Sequence, residues 1–247
     1  MMNTPLVLKI KHNSLDDGPG IRSVVFMKGC PLDCVWCHNP ESKSPAPEIA
    51  FDAGKCVACD SCLKVCPEGA LSRDLPFFIN REKCSLCYQC VGACPSGALE
   101  TVGQSQAIDD IVGAVLPDKP FFDTSGGGVT LSGGEPTQYM QFTGKLLQTI
   151  KQAGIHTLLE TCGLFAMDRF ERLLYPHLDM IFYDLKLVNE SDHQRFCSAS
   201  NAPILENFRV LSKRHRGGGR PGRSADAFDP GDHRQRYKYI CADCVFK

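Results

Sequence analysis

Lys28-Gly-Cys30-Pro-Leu-Asp-Cys34-Val-Trp36-Cys37-His38-Asn-Pro40 is a three-cysteine loop that directly follows the β-rich run 21–27. Its cysteines are Cys30, Cys34 and Cys37. Three thiolates can hold three irons of a four-iron cluster, which leaves the fourth iron open to a substrate. The spacing alone leaves a second interpretation open, a zinc knuckle completed by a ligand such as His38.

A duplicated cysteine motif follows the loop. Cys56-Val-Ala-Cys59-Asp-Ser-Cys62-Leu-Lys-Val-Cys66-Pro recurs as Cys84-Ser-Leu-Cys87-Tyr-Gln-Cys90-Val-Gly-Ala-Cys94-Pro. The spacings match the run of bacterial two-cluster ferredoxins, in which the fourth cysteine of each run ligates the other cluster. This pairing predicts one cluster on Cys56, Cys59, Cys62 and Cys94, and a second on Cys84, Cys87, Cys90 and Cys66.

The duplication predicts a compact ferredoxin-like insert over residues 51–101. Zinc binding is the alternative chemistry for its cysteines. Its function is either an electron relay or a docking and structural module, and the sequence does not choose between the two.

Outside the insert, short β-rich runs alternate with helix-length segments, a pattern typical of βα units around a parallel sheet. The α/β fold class follows from this alternation. The predicted strands are 21–27, 129–132, 156–160 and 180–185, and the predicted helices are 108–116, 138–153, 167–174 and 204–214. In such folds the chemistry gathers at the carboxyl ends of the strands.

Polar motifs follow three of these strands. They are Ser132-Gly133-Gly134-Glu135, Glu160 at the next strand end, and Asp184-Leu-Lys186. Glycines let a backbone approach a ligand closely, and a carboxylate can accept hydrogen bonds from an ammonium group. Taken alone, the first motif could be only a turn and the others only solvated strand ends.

Composition narrows the class of protein. The chain has 247 residues, a formal net charge of −1 and 15 cysteines. The charge gives no reason to expect nucleic acid as a partner, and the apolar runs are too short to span a membrane. Without a recognisable secretion signal we expect the cytoplasm, where thiols stay reduced, so metal ligation is favoured over disulfides.

Taken together, the motifs resemble the glycyl-radical activating enzymes of the radical S-adenosylmethionine family. The resemblance depends on the three-cysteine spacing with Trp36 before the last cysteine, on Asp17-Gly-Pro-Gly-Ile-Arg22, and on Cys37-His-Asn-Pro-Glu-Ser42. It extends over about residues 6–214. It implies a partial (β/α) barrel of the radical S-adenosylmethionine type at 1–50 and 102–215, interrupted by the insert.

The resemblance also implies roles for individual residues. Cys30, Cys34 and Cys37 would hold the catalytic [4Fe-4S] cluster, which with the insert makes three clusters. Trp36 would pack near the adenine of S-adenosylmethionine, and the remaining contacts would come from Ser132, Gly133, Gly134, Glu135, Glu160, Asp184 and Lys186. Arg22 is a candidate contact to the cofactor or to the partner's backbone. His193 also matches the family, although a surface or capping histidine is the favoured interpretation.

The activity implied by the resemblance is reductive cleavage of S-adenosylmethionine to a 5′-deoxyadenosyl radical, which takes hydrogen from a glycine of a partner glycyl-radical enzyme. A flavodoxin or ferredoxin-type protein would be the reductant. Two rival functions stay open: an iron-sulfur electron carrier, and a radical S-adenosylmethionine enzyme that acts on another substrate.

The sequence departs from the family after Arg214, where Gly and Arg crowd together and periodicity is lost. The family continues with further strands and a later histidine that have no counterpart here. We therefore expect residues 216–247 to be an irregular tail, the last strands of the barrel to be missing and a sheet edge to be unpaired. An out-of-frame reading of this tail is a hypothesis.

Overall fold

The computed structural model describes residues 4–217 and 239–242. The chain divides into two compact units, Met1–Pro45 with Ser105–Lys247, and Ala46–Gln104. The strands are β1 (Leu6–Ser14), β2 (Arg22–Met27), β3 (Glu48–Phe51), β4 (Leu99–Val102), β5 (Gln104–Ser105), β6 (Gly128–Gly133), β7 (His156–Thr161), β8 (Met180–Asp184) and β9 (Tyr239–Ala242).

One seven-stranded sheet has the order β5-β1-β2-β6-β7-β8-β9. Strands β2, β6, β7 and β8 pair in parallel, which confirms the four strands predicted outside the insert. Strands β1 and β9 pair antiparallel with β2 and β8, respectively. Because the four central strands are parallel, their carboxyl ends meet at one edge of the sheet.

The tail differs from the sequence expectation at one point. Strand β9 lies within residues 216–247, where we predicted no regular element, and it covers the edge of β8 that we expected to be unpaired. Tail residues 218–238 and 243–247 lie outside the described residues. The absence of the last barrel strands therefore stays a prediction.

Helices lie at the four predicted positions, and four further helices, at 61–65, 89–92, 119–125 and 190–197, were not predicted. The helices are α1 (Ser61–Val65), α2 (Gln89–Gly92), α3 (Ile108–Val115), α4 (Lys119–Ser125), α5 (Met140–Gln152), α6 (Met167–Leu173), α7 (Glu190–Cys197) and α8 (Ala202–Gly217). Short 3₁₀ turns lie at Pro40–Ser42, Leu116–Asp118, Pro136–Tyr139 and Tyr175–His177.

The core of the first unit lies between one face of the sheet and the helices. Alternate strand residues such as Val25, Leu131 and Leu159 pack with Leu146 and Ile150 of α5, and each of these side chains is almost completely buried. Burial of one such side chain stabilises the fold by about 1.5–3 kcal/mol. The period-two alternation therefore sends the intervening residues, which include Ser132, Glu160 and Asp184, to the opposite face.

In the second unit, the two cysteine motifs that repeat in sequence also have similar backbone conformations. Strands β3 and β4 pair antiparallel. The equivalent residues Ala58 and Leu86 have φ values of 57° and 55°, and Asp60 and Tyr88 have 58° and 57°. Left-handed residues are uncommon outside glycine, so their recurrence at equivalent positions indicates that both motifs wrap in the same way. A single buried cluster of Ile49, Leu71, Phe78, Ile79, Cys90 and Leu99 joins the two halves.

Candidate active site

The loops after β2 and β6 are bonded to each other at the carboxyl edge of the sheet. The amide of Gly134 donates to the carbonyl of Met27, and the amide of Glu135 donates to that of Gly29, both at 2.8 Å. The next loop pair is joined by side chains, because Ser132 Oγ donates to Glu160 Oε2 at 2.5 Å. The three-cysteine loop and the polar strand ends therefore form one site in the first unit.

Lys28 anchors the cysteine loop at its base. Its side chain is completely buried, and Nζ donates to the carbonyl oxygens of Glu41 at 2.7 Å and of Ser44 at 3.0 Å. A buried ammonium needs such partners because burial without them is costly. Sequence reasoning assigned no role to Lys28, although a lysine that closes an otherwise apolar strand was the available signal.

The loop thiols lie in a largely apolar setting. Cys34 is 7% exposed and packs with Leu32, while Cys30 and Cys37 are half-buried beside the same cluster. Burial raises the pKa of Cys30 to about 12 and also raises the pKa of Cys34. Iron ions would reverse this preference, since a coordinating thiol is deprotonated by the metal charge. The donor set therefore fits a four-iron cluster with one open iron.

The two glycines of the Ser132-Gly-Gly-Glu motif are required by close backbone approach. Gly133 has φ +108°, and a Cβ on Gly134 would lie 2.3 Å from the carbonyl oxygen of Gly29. A larger residue would separate the β6 loop from the cysteine loop. The glycines thus bring the backbone of this motif against the base of the loop, as their sequence pattern predicted.

Glu135 has a buried side chain with several hydrogen-bond donors around it. The side chain is 1% exposed, and its carboxylate accepts four hydrogen bonds from protein groups. The donors are Thr137 N at 3.1 Å, Thr137 Oγ1 at 2.7 Å, Thr161 Oγ1 at 2.9 Å and Cys162 N at 2.7 Å. In this structure the carboxylate joins the β6 loop to the end of β7, and a contact to S-adenosylmethionine stays a prediction.

Glu160 lies at the carboxyl end of β7, and the Asp184–Lys186 pair lies at and just after the carboxyl end of β8. Burial raises the pKa of Glu160 to about 7, although the hydrogen bond from Ser132 opposes the shift. Lys186 Nζ donates to Asp184 Oδ2. Burial lowers the pKa of Lys186, but the Asp184 carboxylate raises it more, so the net shift is upward. A cation therefore lies beside this edge at neutral pH.

Two asparagines of α8 and its entry turn hold the loops that follow β7 and β8. Asn201 Nδ2 donates to the carbonyls of Leu187 at 3.0 Å and Val188 at 2.7 Å. Asn207 Nδ2 donates to the carbonyls of Gly163 at 2.9 Å and Phe165 at 2.8 Å. The residues that follow Glu160 and Asp184 are thereby fixed. The sequence motifs assigned no role to either asparagine.

Two other predicted residues, Trp36 and His193, have defined surroundings. The ring of Trp36 is half-buried and lies 6.3 Å from that of Phe196, centroid to centroid. His193 is 1% exposed, so it is not a surface histidine. Its Nδ1 lies 2.6 Å from the carbonyl oxygen of Ala199, in the turn after α7, which agrees with a capping role.

Arg22 is the clearest correction to a sequence-based candidate. It begins β2, so it lies at the opposite end of that strand from the cysteine loop, and it is completely buried. Its guanidinium donates to Thr130 Oγ1 at 2.7 Å and to the carbonyls of Val129 at 2.8 Å and Pro19 at 3.2 Å. Arg22 fixes the preceding glycine-rich loop to the sheet, and its guanidinium donates to these protein groups.

Two cavities lie within the second unit, and each contains four cysteines. The first, of about 320 Å³ with the space open to solvent, is lined by Cys56, Cys59, Cys62 and Cys94. The second, of about 300 Å³, is lined by Cys66, Cys84, Cys87 and Cys90. These sets agree with the exchanged pairing expected from the sequence, and four thiolates around one cavity fit a complete [4Fe-4S] cluster.

The first unit has a three-cysteine loop at the carboxyl edge of a parallel sheet, and the second unit has two cavities lined by four cysteines each. These donor sets fit the class of iron-sulfur proteins. The 4Fe-4S single cluster domain family matches residues 16–64, and the 4Fe-4S binding domain family matches residues 77–100.

Similar proteins of known activity narrow the class further. The chain is 43% identical to the trans-4-hydroxy-L-proline dehydratase activating enzyme of Clostridioides difficile, over 85% of this chain and 70% of that protein. It is 41% identical to the isethionate sulfite-lyase activating enzyme of Desulfovibrio desulfuricans (84% and 68%), and 39% identical to the benzylsuccinate synthase activating enzyme of Thauera aromatica (85% and 65%). The chain belongs to the radical S-adenosylmethionine activating enzymes of glycyl-radical enzymes.

Membership in this family makes the chain an oxidoreductase that binds iron-sulfur clusters and S-adenosylmethionine and acts on a glycyl-radical enzyme. Among residues 4–217 and 239–242, no helix combines the length and apolar character that crossing a membrane requires.

Proposed function

We propose that the site at the carboxyl ends of β2, β6, β7 and β8 cleaves S-adenosylmethionine and directs the resulting radical to a glycine of a partner enzyme. The observation that carries this proposal is the convergence of the Cys30–Cys34–Cys37 loop with Ser132, Glu160 and the Asp184–Lys186 pair at one sheet edge. When bound, a reduced four-iron cluster supplies the electron that breaks the sulfur–carbon bond and yields the 5′-deoxyadenosyl radical.

The protein groups bind and orient S-adenosylmethionine. Glu160 accepts hydrogen bonds from the amino group beside the Gly133–Gly134 backbone, and Lys186 pairs with the carboxylate of the methionine moiety. Asp184 orients Lys186 through their hydrogen bond, and Trp36 packs near the adenine. Glu135 positions the β6 loop from beneath and does not touch the substrate.

The insert holds two further clusters, which makes three in the chain. The cavity linings support one cluster on Cys56, Cys59, Cys62 and Cys94, and another on Cys66, Cys84, Cys87 and Cys90. We propose that they pass electrons from a flavodoxin or ferredoxin-type reductant.

The partner is a glycyl-radical enzyme of the group that the relatives activate, which includes a hydroxyproline dehydratase and an isethionate lyase. The test is electron paramagnetic resonance of such partners after anaerobic incubation with the reduced chain and S-adenosylmethionine. A glycyl doublet on one of them that requires Cys37 supports the proposal. Production of 5′-deoxyadenosine without any glycyl signal favours a radical S-adenosylmethionine enzyme that acts on another substrate. If S-adenosylmethionine is not cleaved at all, the function as an iron-sulfur electron carrier is favoured.

A further inference from the structure

The carboxyl end of α7 lies against the three-cysteine loop. The amide of Asp33 donates to the carbonyl of Cys197 at 2.9 Å, and the amide of Val35 donates to the carbonyl of Phe196 at 3.0 Å. The last carbonyls of a helix have no partner within the helix, so the loop provides donors for two of them. Because Asp33 and Val35 flank Cys34, these two bonds fix the backbone on both sides of the middle cysteine.

The turn after α7 has a backbone conformation that its own residue does not favour. Ser198, the first residue after the helix, has φ +63° and ψ 22°. Glycine usually occupies this left-handed position at a helix end, because a Cβ makes the conformation less favourable. We therefore expect a contact elsewhere in the turn to hold the chain in this direction.

His193, one turn before the end of α7, provides such a contact. Its Nδ1 lies 2.6 Å from the carbonyl oxygen of Ala199. A carbonyl oxygen can only accept, so Nδ1 carries the hydrogen of this bond. The other ring nitrogen, Nε2, is buried and has no hydrogen-bond partner among the residues that the structure describes. Within that part of the chain, the ring therefore acts through its bond to Ala199.

Ala199 also connects the turn to the loop by packing. Its side chain packs against the small buried cluster that contains Cys34 and Cys197. Without the bond from His193, the turn at Ser198 would be free to leave its left-handed conformation. The last turn of α7 would then no longer hold its carbonyls against the loop amides.

We propose that His193 is a positioning residue that holds the three-cysteine loop in place for its iron-sulfur cluster through the end of α7. This inference rests on the proposed function, since it takes Cys34 as a cluster ligand. Three cysteines give a cluster fewer protein bonds than the four of an insert cavity, so its retention depends more on the geometry of the loop. Groups that orient the ligands of a metal typically contribute about 10–100-fold to metal affinity.

Two variants at position 193 separate the hydrogen bond from the volume of the ring. His193→Phe keeps a ring of similar volume and removes both nitrogens. His193→Asn loses volume but keeps a donor nitrogen that is as many bonds from Cα as Nδ1 is. Ile150→Val, a buried change on α5 in the same unit, is the control for a general loss of stability.

Hydrogen exchange of the full chain, followed by mass spectrometry, reports on the amides of Asp33 and Val35 directly. We expect these amides to exchange about tenfold faster in His193→Phe, which is the factor that corresponds to one lost hydrogen bond. In His193→Asn and Ile150→Val they should exchange close to the parental rate. The inference is overturned if His193→Phe leaves their exchange unchanged. It is also overturned if all three variants accelerate exchange equally, because lost packing would then explain the effect.

Iron retention tests the step from the loop to the cluster. Each reconstituted variant is exposed to an iron chelator under anaerobic conditions, and the loop cluster is followed by the electron paramagnetic resonance signal that changes on addition of S-adenosylmethionine. We expect His193→Phe to lose this signal about tenfold faster than the parent, and His193→Asn to retain it. Equal retention in the parent and His193→Phe would overturn the inference.

The two measurements also separate this inference from the proposed function. A parent chain with no signal that responds to S-adenosylmethionine would overturn the proposed function, whereas the exchange of Asp33 and Val35 would still decide whether His193 holds the loop. Should His193→Phe not fold, His193→Leu, which also lacks a donor, takes its place with the same expected results.

Discussion

The amide nitrogen of Cys162 lies 2.7 Å from Oε2 of Glu135, and this hydrogen bond joins the end of β7 to the loop after β6. Glu135 Oε1 accepts hydrogen bonds from Thr137 and Thr161 at the same time. The carboxylate therefore connects two of the loops that form the site.

Replacement of Glu135 by Gln should destabilise the protein. In place of either carboxylate oxygen, the amide nitrogen of Gln would face a backbone N–H that can only donate, that of Cys162 or that of Thr137. An unsatisfied buried group costs about 1–3 kcal/mol. Denaturant unfolding of the chain under anaerobic conditions measures the loss. Glu206→Gln, an exposed change on α8, is the control and should stay within about 0.5 kcal/mol. A Glu135→Gln variant of parental stability that has lost affinity for S-adenosylmethionine would show that Glu135 is a direct contact.

Affinity for S-adenosylmethionine should depend on pH through Glu160. Its pKa is raised to about 7 by burial, so the carboxyl group is largely neutral below pH 7 and ionised above it. Only the ionised form attracts the amino group of the substrate, so the Kd should decrease as the pH rises from 6 to 8. Equilibrium binding across this range measures the effect. Glu160→Gln should bind more weakly and lose this dependence, whereas an unchanged pH profile in that variant would assign the titration to another group.

Gly134→Ala should slow the formation of 5′-deoxyadenosine, whereas the control variant Gly113→Ala should not. The added Cβ would meet the carbonyl oxygen of Gly29 at 2.3 Å, and the β6 loop would have to move away from the cysteine loop. A displacement of about 1 Å in such a site can cost about a hundredfold in rate. The rate of 5′-deoxyadenosine formation measures it. Gly113→Ala on α3 meets nothing within 4 Å and should retain the parental rate with slightly higher stability. Equal rates for both variants would contradict the close-approach role of Gly134.

Replacement of single insert cysteines should follow the exchanged pairing. Cys94→Ala removes a ligand from the cavity lined by Cys56, Cys59 and Cys62, although Cys94 belongs to the other sequence repeat. We expect the cluster of that cavity to be damaged and the one beside Cys66 to be retained. Mössbauer spectra of the variants Cys94→Ala and Cys56→Ala should therefore show the same altered cluster. A match of Cys94→Ala with Cys84→Ala would favour pairing within each repeat.

The sequence predicts the parallel strands well because their signal is local, and the cysteine sites are predictions that also depend on local signals. The alternation of apolar residues identifies β2, β6, β7 and β8, and the ligand spacings are those of short loops. Since functional residues lie at the carboxyl ends of parallel strands, the sequence then predicts that Ser132, Glu160 and Asp184 lie at one edge of the sheet.

Residues whose partners are distant in sequence could not be assigned in this way. Cys197 contacts Cys34 only because α7 ends against the loop, and Asn207 reaches Gly163 across the fold. Arg22 was misassigned because a motif shows only which residues are neighbours in the sequence. It does not show at which end of a strand a side chain lies. The sequence pattern also does not show that the Glu135 carboxylate is buried and joins two loops.

The most direct test of the account is anaerobic formation of 5′-deoxyadenosine by the reduced chain, compared between the parent, Cys37→Ala and Cys87→Ala. Cys37 belongs to the loop at the sheet edge, whereas Cys87 lines a cavity of the insert. We predict that the parent forms the product, that Cys37→Ala forms none, and that Cys87→Ala retains cleavage with a strong chemical reductant. Product formation by Cys37→Ala at the parental rate would contradict the assignment of the radical chemistry to this loop.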